Sequence, residues 1–424
     1  MLTSALEGGF MKYDFDNKVD RSGTNAAKLI GYKSYIFHAD DTMELPFKDD
    51  EFIHLWVADM EFACAPEILD AIRARLDRQI LGYTVNSDSR LYDALNTWCK
   101  ERYDFEFKRE ELVLSAGVVP AIVRLISYIV KDNEKVLFNT PAYGQFANAC
   151  RINQKEYITS DLIKDKDGKY TIDFEDMDKK MAQADVPLFI LCNPHNPTGR
   201  SWSEEELEKI TELIKKHDMW VISDEIHCDL RRADASKHIP LGKVMPDYDK
   251  LITCMAASKS FNIAGLSESS IIIRNEKLRK QWLIYSDGLV NPLSHEGTIA
   301  AYTKGADWLK ECNEYLDGNF ELVNTYLKEE LPEIIITPSE TTYLAWVDFS
   351  NYFEENEKVE LFFATKSGVL IEADKAFVDN ANRMVRINIA CPRDYLKEGL
   401  ERMVDSIKNK HDEPFLGLTS NTKL

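Results

Sequence analysis

The sequence contains no long uninterrupted apolar stretch. One of its longest apolar runs, VPLFILC at residues 186–192, is far shorter than the ~18 residues that a transmembrane helix needs. The first ten residues have neither the basic start nor the apolar core of a secretory signal peptide. We therefore expect a cytoplasmic protein with no membrane partner.

Basic side chains are in clear deficit. The chain has 52 lysine and arginine residues against 72 aspartate and glutamate residues, which gives a formal net charge of -20. A surface of this sign repels phosphate backbones, so nucleic acid is not an expected partner.

Closely spaced cysteines are also missing. The 8 cysteines lie singly along the chain, and no CxxC pair occurs. This spacing favours reduced thiols that fill the core, and it argues against a bound metal.

The central part of the 424-residue chain alternates between short apolar runs and amphipathic stretches, which predicts parallel βα units. Strands are expected at 112–115, 135–140, 188–192, 220–223, 251–255 and 269–274, and a helix is expected at 66–81. Ser203 and Glu206 form a capping-box pattern that predicts the start of another helix. After about residue 291 longer helices and two strand-like runs, 341–349 and 383–390, indicate a smaller α+β lobe, which we expect residues before Asp59 to complete.

Three polar residues follow three of the predicted strands. Asn196 follows 188–192, Asp224 follows 220–223, and Lys259 follows 251–255. Ligands of open α/β sheets bind beyond the carboxyl ends of the strands. A lysine for a Schiff base, a carboxylate for a pyridinium nitrogen and a donor to a ring oxygen suit pyridoxal 5'-phosphate (PLP). Taken singly, the same residues would be a solvated lysine, a helix cap and a turn former.

The loop after residues 112–115 is a candidate phosphate cradle. Gly117 allows a tight turn there, and Pro120 lies near the first turn of the following helix, so the amides of Val118 and Val119 could face an anion. An ordinary βα loop is the alternative. Tyr143 follows the next strand, where its ring could stack on a flat heterocycle or simply fill the core.

The motifs AGVVP, TPAYGQF, NPHNPTG, SDEIH, SKSFNIAGL and RINIACPR, in this order, resemble the fold type I PLP enzymes of the class I/II aminotransferase superfamily. WVADMEF, LGYT, DEIH and TTYLAW are similar to the MalY/PatB branch of C–S β-lyases, which includes the cystathionine β-lyases. The resemblance runs from about Tyr13 to about Val404. It implies an aspartate aminotransferase-like α/β fold: a large domain (60–295) with a mainly parallel seven-stranded sheet, a small α+β domain (11–59 and 296–409) and a loose tail (410–424).

The resemblance also implies roles for individual residues. Lys259 would be the catalytic lysine that carries PLP. The other cofactor contacts would come from Gly117, Val118, Val119, Tyr143, Asn196, Asp224, His227, Ser258 and, from the partner subunit of a homodimer, Tyr83. The amino-acid substrate would be bound by Arg386, Tyr143, Asn196 and Asp59, with Arg386 pairing with the α-carboxylate. A solvent-exposed strand arginine in a salt bridge is the alternative for Arg386.

Three positions depart from the better-known aminotransferases. His227 stands where they carry tyrosine, and Ala256 and Ser267 replace two further residues of their pattern, which favours a lyase over a transaminase. The substitutions leave the phosphate with fewer cations, so helix amides must contribute more. Whether His227 touches the cofactor or supports it from behind stays open.

The function implied by the resemblance is α,β-elimination of L-cystathionine or an S-substituted cysteine to a thiol, pyruvate and ammonia. The alternatives are a PLP-dependent aminotransferase and a regulator that binds a transcription factor on the same scaffold. Because Glu7, Gly8 and Gly9 have codons that can resemble a ribosome-binding tract, we also expect Met11 to be the native start.

Overall fold

The computed structural model describes residues 11–86, 89–284, 286 and 288–410. The segment before Met11 and the predicted tail beyond residue 410 lie outside the described residues. The strands are β1 (Ile53–His54), β2 (Thr84–Val85), β3 (Leu112–Ser115), β4 (Lys135–Thr140), β5 (Ala142–Tyr143), β6 (Glu156–Lys164), β7 (Tyr170–Ile172), β8 (Leu188–Cys192), β9 (Trp220–Asp224), β10 (Leu251–Met255), β11 (Ser269–Ile273), β12 (Leu289–Val290), β13 (Ile335–Ile336), β14 (Leu344–Asp348), β15 (Val369–Leu370), β16 (Glu372–Ala373), β17 (Phe377–Val378) and β18 (Met384–Asn388). The α-helices are α1 (Ala27–Ile30), α2 (Tyr32–Ile36), α3 (Pro66–Leu76), α4 (Arg90–Tyr103), α5 (Val118–Ile129), α6 (Gln145–Ile152), α7 (Phe174–Met181), α8 (Glu204–Lys216), α9 (Leu241–Val244), α10 (Ala257–Ser260), α11 (Glu276–Ile284), α12 (Pro292–Lys304), α13 (Ala306–Glu330), α14 (Val359–Lys366) and α15 (Arg393–Lys408).

The central sheet has the strand order β3-β11-β10-β9-β8-β4-β6-β7. Strands β10, β9, β8, β4 and β6 run parallel, whereas β11 is antiparallel to both of its neighbours. Four of these five neighbouring strands are buried along most of their length, as expected where helices cover both faces of a sheet. The mainly parallel α/β sheet is the predicted fold.

Two features of this sheet differ from the sequence-based expectation. Strand β6 was not identified, because its mixed sequence EYITSDLIK is largely exposed and forms no apolar run. Its antiparallel partner β7 adds an eighth strand to the expected seven.

Helix α3 ends at Leu76 and not at residue 81, because Gln79 adopts a left-handed backbone (φ 58°) that stops the helix.

A smaller antiparallel sheet, β13-β14-β18-β16, lies in the carboxyl-terminal part of the chain. The amino-terminal segment packs beside it. Strand β1 pairs in parallel with β15, which one residue separates from β16, and the amide of Asn388 on β18 donates to the carbonyl of Leu55 (2.9 Å). Strand β17 pairs with β5, which directly follows a strand of the central sheet. Backbone hydrogen bonds therefore join the segment that follows β4 of the central sheet to the segment between β16 and β18 of the smaller sheet.

The cysteines are free thiols, seven of them buried and Cys64 half-buried, as the sequence predicted. Among the described residues, no group of three or more His, Cys, Asp or Glu side chains could hold a metal ion. None of the helices described is both long enough and apolar enough to cross a membrane.

Helix α8 begins with the capping box that the sequence predicted. The hydroxyl of Ser203 accepts a hydrogen bond from the amide of Glu206 (3.2 Å), and the Glu206 carboxylate accepts one from the amide of Ser203 (2.8 Å).

We expect Ser203→Ala to lower the free energy of unfolding by about 1 kcal/mol, because one amide of the first turn loses its partner. Urea denaturation measures this loss. Ser203→Thr keeps the hydroxyl and should unfold close to wild type; equal stability of Ser203→Ala and wild type would contradict the cap.

Candidate active site

A cavity of about 220 Å³ lies beyond the carboxyl ends of β8, β9 and β10, where these strands meet the amino terminus of α5 and strand β18. This is the position at which open α/β sheets bind their ligands. The structure brings most of the predicted site residues together there: Gly117, Val118, Val119, Tyr143, Asn196, Asp224, His227, Ser258, Lys259 and Arg386 all line the cavity.

Lys259 is presented to the cavity by α10, the short helix that follows β10. Its amine donates a hydrogen bond to the carbonyl oxygen of Ala58 (2.7 Å). Burial, assisted by the positive charge of Arg386, lowers the pKa of Lys259 to about 8. About a tenth of this amine is therefore uncharged at pH 7, far more than for an ordinary lysine, and able to act as a nucleophile or a base.

Two side chains that the sequence analysis did not identify fix the helix that carries Lys259. The buried carboxylate of Asp229 accepts hydrogen bonds from Ser260 (2.8 Å), Trp98 (2.8 Å) and Tyr103. Asn262 adopts a left-handed backbone (φ 56°) and binds the backbone of residues 60 and 62 through its side-chain amide. Asn262 lies within the SKSFNIAGL motif, but no local pattern indicates its contacts or those of Asp229, because each acts through partners far away in the sequence.

Asp224 ends β9, in register with Cys192 on one side and Cys254 on the other. Burial raises the pKa of this carboxyl group to about 7, although an amide hydrogen bond from Ile226 (3.3 Å) and the charge of Lys259 oppose the shift. A buried carboxylate of this kind is stabilised when a cationic group binds next to it. The environment of Asp224 thus suits a protonated ring nitrogen.

The first turn of α5 forms the proposed phosphate end of the cavity. The amides of Val118 and Val119 lie in the first turn, where a helix offers no internal acceptors. Gly117 is extended (φ 161°, ψ 163°) and not in the tight turn that the sequence analysis expected; a Cβ atom there would lie 3.2 Å from Pro120. The hydroxyl-bearing residues Ser258, Ser267 and Ser269 also line this cavity.

Arg386 lies on β18 and is almost fully buried. One of its terminal nitrogens donates to the side-chain oxygen of Asn196 (3.0 Å), and the other pairs with the carboxylate of Glu372. Arg386 lines the cavity and forms a salt bridge, but it is buried, so the exposed strand arginine weighed as the alternative is wrong. Glu372 was not identified from the sequence.

His227 and Tyr143 line the same cavity. Burial, together with the charges of Lys259 and Arg386, lowers the pKa of His227 to about 3, so the imidazole is neutral. Its ring packs edge-on against Tyr343 at 6.3 Å, and its buried Nδ1 atom has no hydrogen-bond partner among the described residues. Burial also raises the pKa of Tyr143 well above its usual range, which keeps the phenol neutral.

Two predicted site residues lie outside this cavity. Asp59 does not line it; its carboxylate pairs with Arg21 (2.6 Å) while its carbonyl accepts from Lys28 (2.8 Å). Tyr83 is 95% exposed on the surface of the single chain.

Sequence comparison places this site in a known family. The model of the family described as aminotransferase class I and II matches residues 50–403. The chain belongs to this family. It is 35% identical to cystathionine beta-lyase PatB of Bacillus subtilis (strain 168), with 92% of this chain and 98% of PatB covered. It is 30% identical to protein MalY of Escherichia coli (strain K12), with 93% and 99% covered.

Solved structures of family relatives have the same fold. A PLP-bound C-S lyase from Staphylococcus hominis superposes with a TM-score of 0.89 at 46% identity, covering 94% of this chain and 100% of the other. Cystalysin from Treponema denticola, which contains a PLP cofactor, superposes with a TM-score of 0.87 at 30% identity and the same coverage. The predicted aminotransferase fold is confirmed.

The lowered pKa of Lys259 can be tested on the cofactor-free protein. Acylation by acetic anhydride requires the uncharged amine, so labelling of Lys259 should be half-maximal near pH 8, whereas exposed lysines with pKa values of about 10.4 should label at higher pH. Peptide mass spectrometry after labelling across a pH series measures both in one sample. A Lys259 profile that coincides with the exposed lysines would contradict the desolvated environment.

Proposed function

We propose that this protein is a PLP-dependent C–S β-lyase that cleaves L-cystathionine or a related S-substituted cysteine. Water is consumed, and the products are a thiol, pyruvate and ammonia. The observation that carries the proposal is the amine of Lys259, with its lowered pKa, in one cavity with Asp224, Asn196 and Arg386. The likeness to PatB and to the Staphylococcus hominis lyase supports this choice of reaction.

The residues lining the cavity suit the cofactor. Asp224 would hold the proton of the pyridine nitrogen, Asn196 would reach the ring oxygen, and Tyr143 would cover one ring face. The phosphate would be held by the Val118 and Val119 amides with the hydroxyl of Ser258, and Lys259 would bind the aldehyde carbon. When bound, PLP supplies an electron sink for a carbanion at the substrate α-carbon.

Lys259 is the proposed general base. An amine with a pKa of about 8 is close to the operating pH, which is the condition for effective proton transfer in both directions. The carbonyl of Ala58 orients this amine at 2.7 Å. Arg386 would hold the substrate α-carboxylate and so direct the α-proton toward Lys259, after which the β-thiolate departs and accepts a proton.

We further propose that the protein is a homodimer in which Tyr83 completes the partner's cavity. Tyr83 precedes β2, which pairs with β12 in a small two-stranded sheet. Large exposed apolar side chains lie on and beside these strands: Ile80, Leu81, Val85, Ile284 and Leu289. An exposed apolar area of this kind is typical of a protein–protein contact.

The first test is pyruvate release from L-cystathionine by the purified PLP-loaded protein, with the borohydride-reduced protein as blank. Lys259→Ala should abolish release, because the base and the cofactor attachment are both lost. Lys280→Ala is the matched control, since Lys280 is exposed on α11 and should leave release unchanged. Near-normal release by Lys259→Ala would refute the role of Lys259, and conversion of bound PLP to pyridoxamine phosphate without pyruvate would favour an aminotransferase.

Subunit complementation tests the role of Tyr83. Tyr83→Ala and Lys259→Ala are each expected to be inactive as homodimers. If Tyr83 acts across the interface, hybrids of the two variants contain one site in which both residues are wild type, so pyruvate release should return. Inactive hybrids of confirmed mixed composition, or a monomeric wild type in sedimentation equilibrium, would contradict the proposal.

A further inference from the structure

Glu372 lies directly behind the proposed substrate carboxylate site. Strands β16 and β18 pair antiparallel with Glu372 opposite Arg386. Their side chains form a salt bridge, and each is 2% exposed or less. The cation proposed to bind the substrate thus already has an anion of the protein beside it.

The carboxylate of Glu372 is only partly satisfied. One oxygen pairs with Arg386, whereas the other, Oε1, is buried and has no hydrogen-bond partner among the described residues. An ionised carboxylate with an unpaired buried oxygen is costly, whereas a protonated carboxyl group carries no net charge and can still accept from the guanidinium.

The groups around Glu372 come from several elements. Charged or titratable neighbours are Arg386 on β18, Lys259 on α10, Lys28 on α1, Tyr35 on α2 and Tyr143 on β5. Burial raises the pKa of Glu372, although Arg386, Lys259 and Lys28 oppose the shift. Lys28 is itself paired with Glu61 (2.9 Å), and Lys259 is the residue that would be attached to PLP.

A bound substrate changes this balance of charge. Its carboxylate would place a second anion on Arg386, so that one buried cation serves two buried anions. Repulsion between the two carboxylates raises the pKa of each. The carboxylate of Glu372 is the less accessible of the two to water, because it is already buried in the protein. Neutralising Glu372 removes the repulsion while the hydrogen bond to Arg386 persists.

We propose that Glu372 takes up a proton when a carboxylate binds to Arg386, so that Glu372 sets the affinity and the pH dependence of substrate binding. The inference rests on the proposed function only in taking Arg386 as the carboxylate site. At low pH, where Glu372 is already protonated, affinity is highest. As pH rises through the titration of Glu372, affinity falls, by up to about tenfold per pH unit for one coupled proton.

The test uses the PLP-loaded protein and propionate, which carries a carboxylate but neither an amine nor a leaving group. Isothermal titration calorimetry in imidazole and in MOPS, which differ in ionisation enthalpy and contain no primary amine that could react with PLP, gives the number of protons taken up on binding between about pH 6 and about pH 8. Wild type should take up close to one proton within this range. Glu372→Gln keeps an acceptor for Arg386 and removes the titrating charge, so it should bind propionate about tenfold more tightly at the upper end of the range and lose the coupled uptake.

Two controls assign the proton. Protonation at Lys259 alters the visible absorbance of the bound cofactor, so a spectrum recorded during the titration separates Lys259 from Glu372. Glu340→Gln removes a carboxylate from another arginine pair, Arg200–Glu340 (3.0 Å), which does not line the cavity, and it should behave like wild type.

The outcomes are distinct from those of the activity assay. Absence of proton uptake in wild type across the range, or uptake that persists in Glu372→Gln, would overturn the inference even if L-cystathionine is cleaved. Uptake that Glu372→Gln abolishes would support it even if no pyruvate forms, because propionate binding requires no turnover.

Discussion

The hydrogen bond from Lys259 to the carbonyl of Ala58 is the contact on which the geometry of the cavity depends. It joins the carboxyl end of the central sheet to the amino-terminal segment, which packs beside the smaller sheet. Asn262 holds the next residues of this segment, and Asn388 donates to the carbonyls of Val57 (2.7 Å) and Asp59 (2.9 Å) from the other side. The strip at residues 57–62 is therefore fixed by both sheets at once, and it holds the amine in place.

The same enclosure accounts for the shifted pKa values of the site. Burial disfavours the charged forms of Lys259 and Asp224 and brings their pKa values to about 8 and about 7. Groups with these values change protonation near neutral pH, where proton transfer is most useful. These buried polar groups lower the stability of the fold until a ligand satisfies them. Such a loss of stability is common at functional sites.

The sequence was most informative where one βα unit is enough to place a residue. Asn196, Asp224 and Lys259 each follow their own buried strand, so their convergence follows from the parallel order of the sheet. Strand β6 was missed because it is largely exposed and so has no apolar run. Asp229 and Asn262 were missed for another reason, since their partners lie far along the chain and only tertiary packing brings them together.

Glu372 is a residue of this second kind, and it changes the charge balance of a site whose other main residues could be predicted from the sequence. Arg386 could be found from its motif, but its charge balance depends on the register of β16 against β18, which no local pattern reveals. Because side chains alternate between the faces of a strand, a shift of one residue would place Ala373 opposite Arg386 and turn the carboxylate to the other face. The register thus decides whether Arg386 is a free cation or half of an ion pair, so under the proposed function a substrate carboxylate would meet the pair and not the arginine alone.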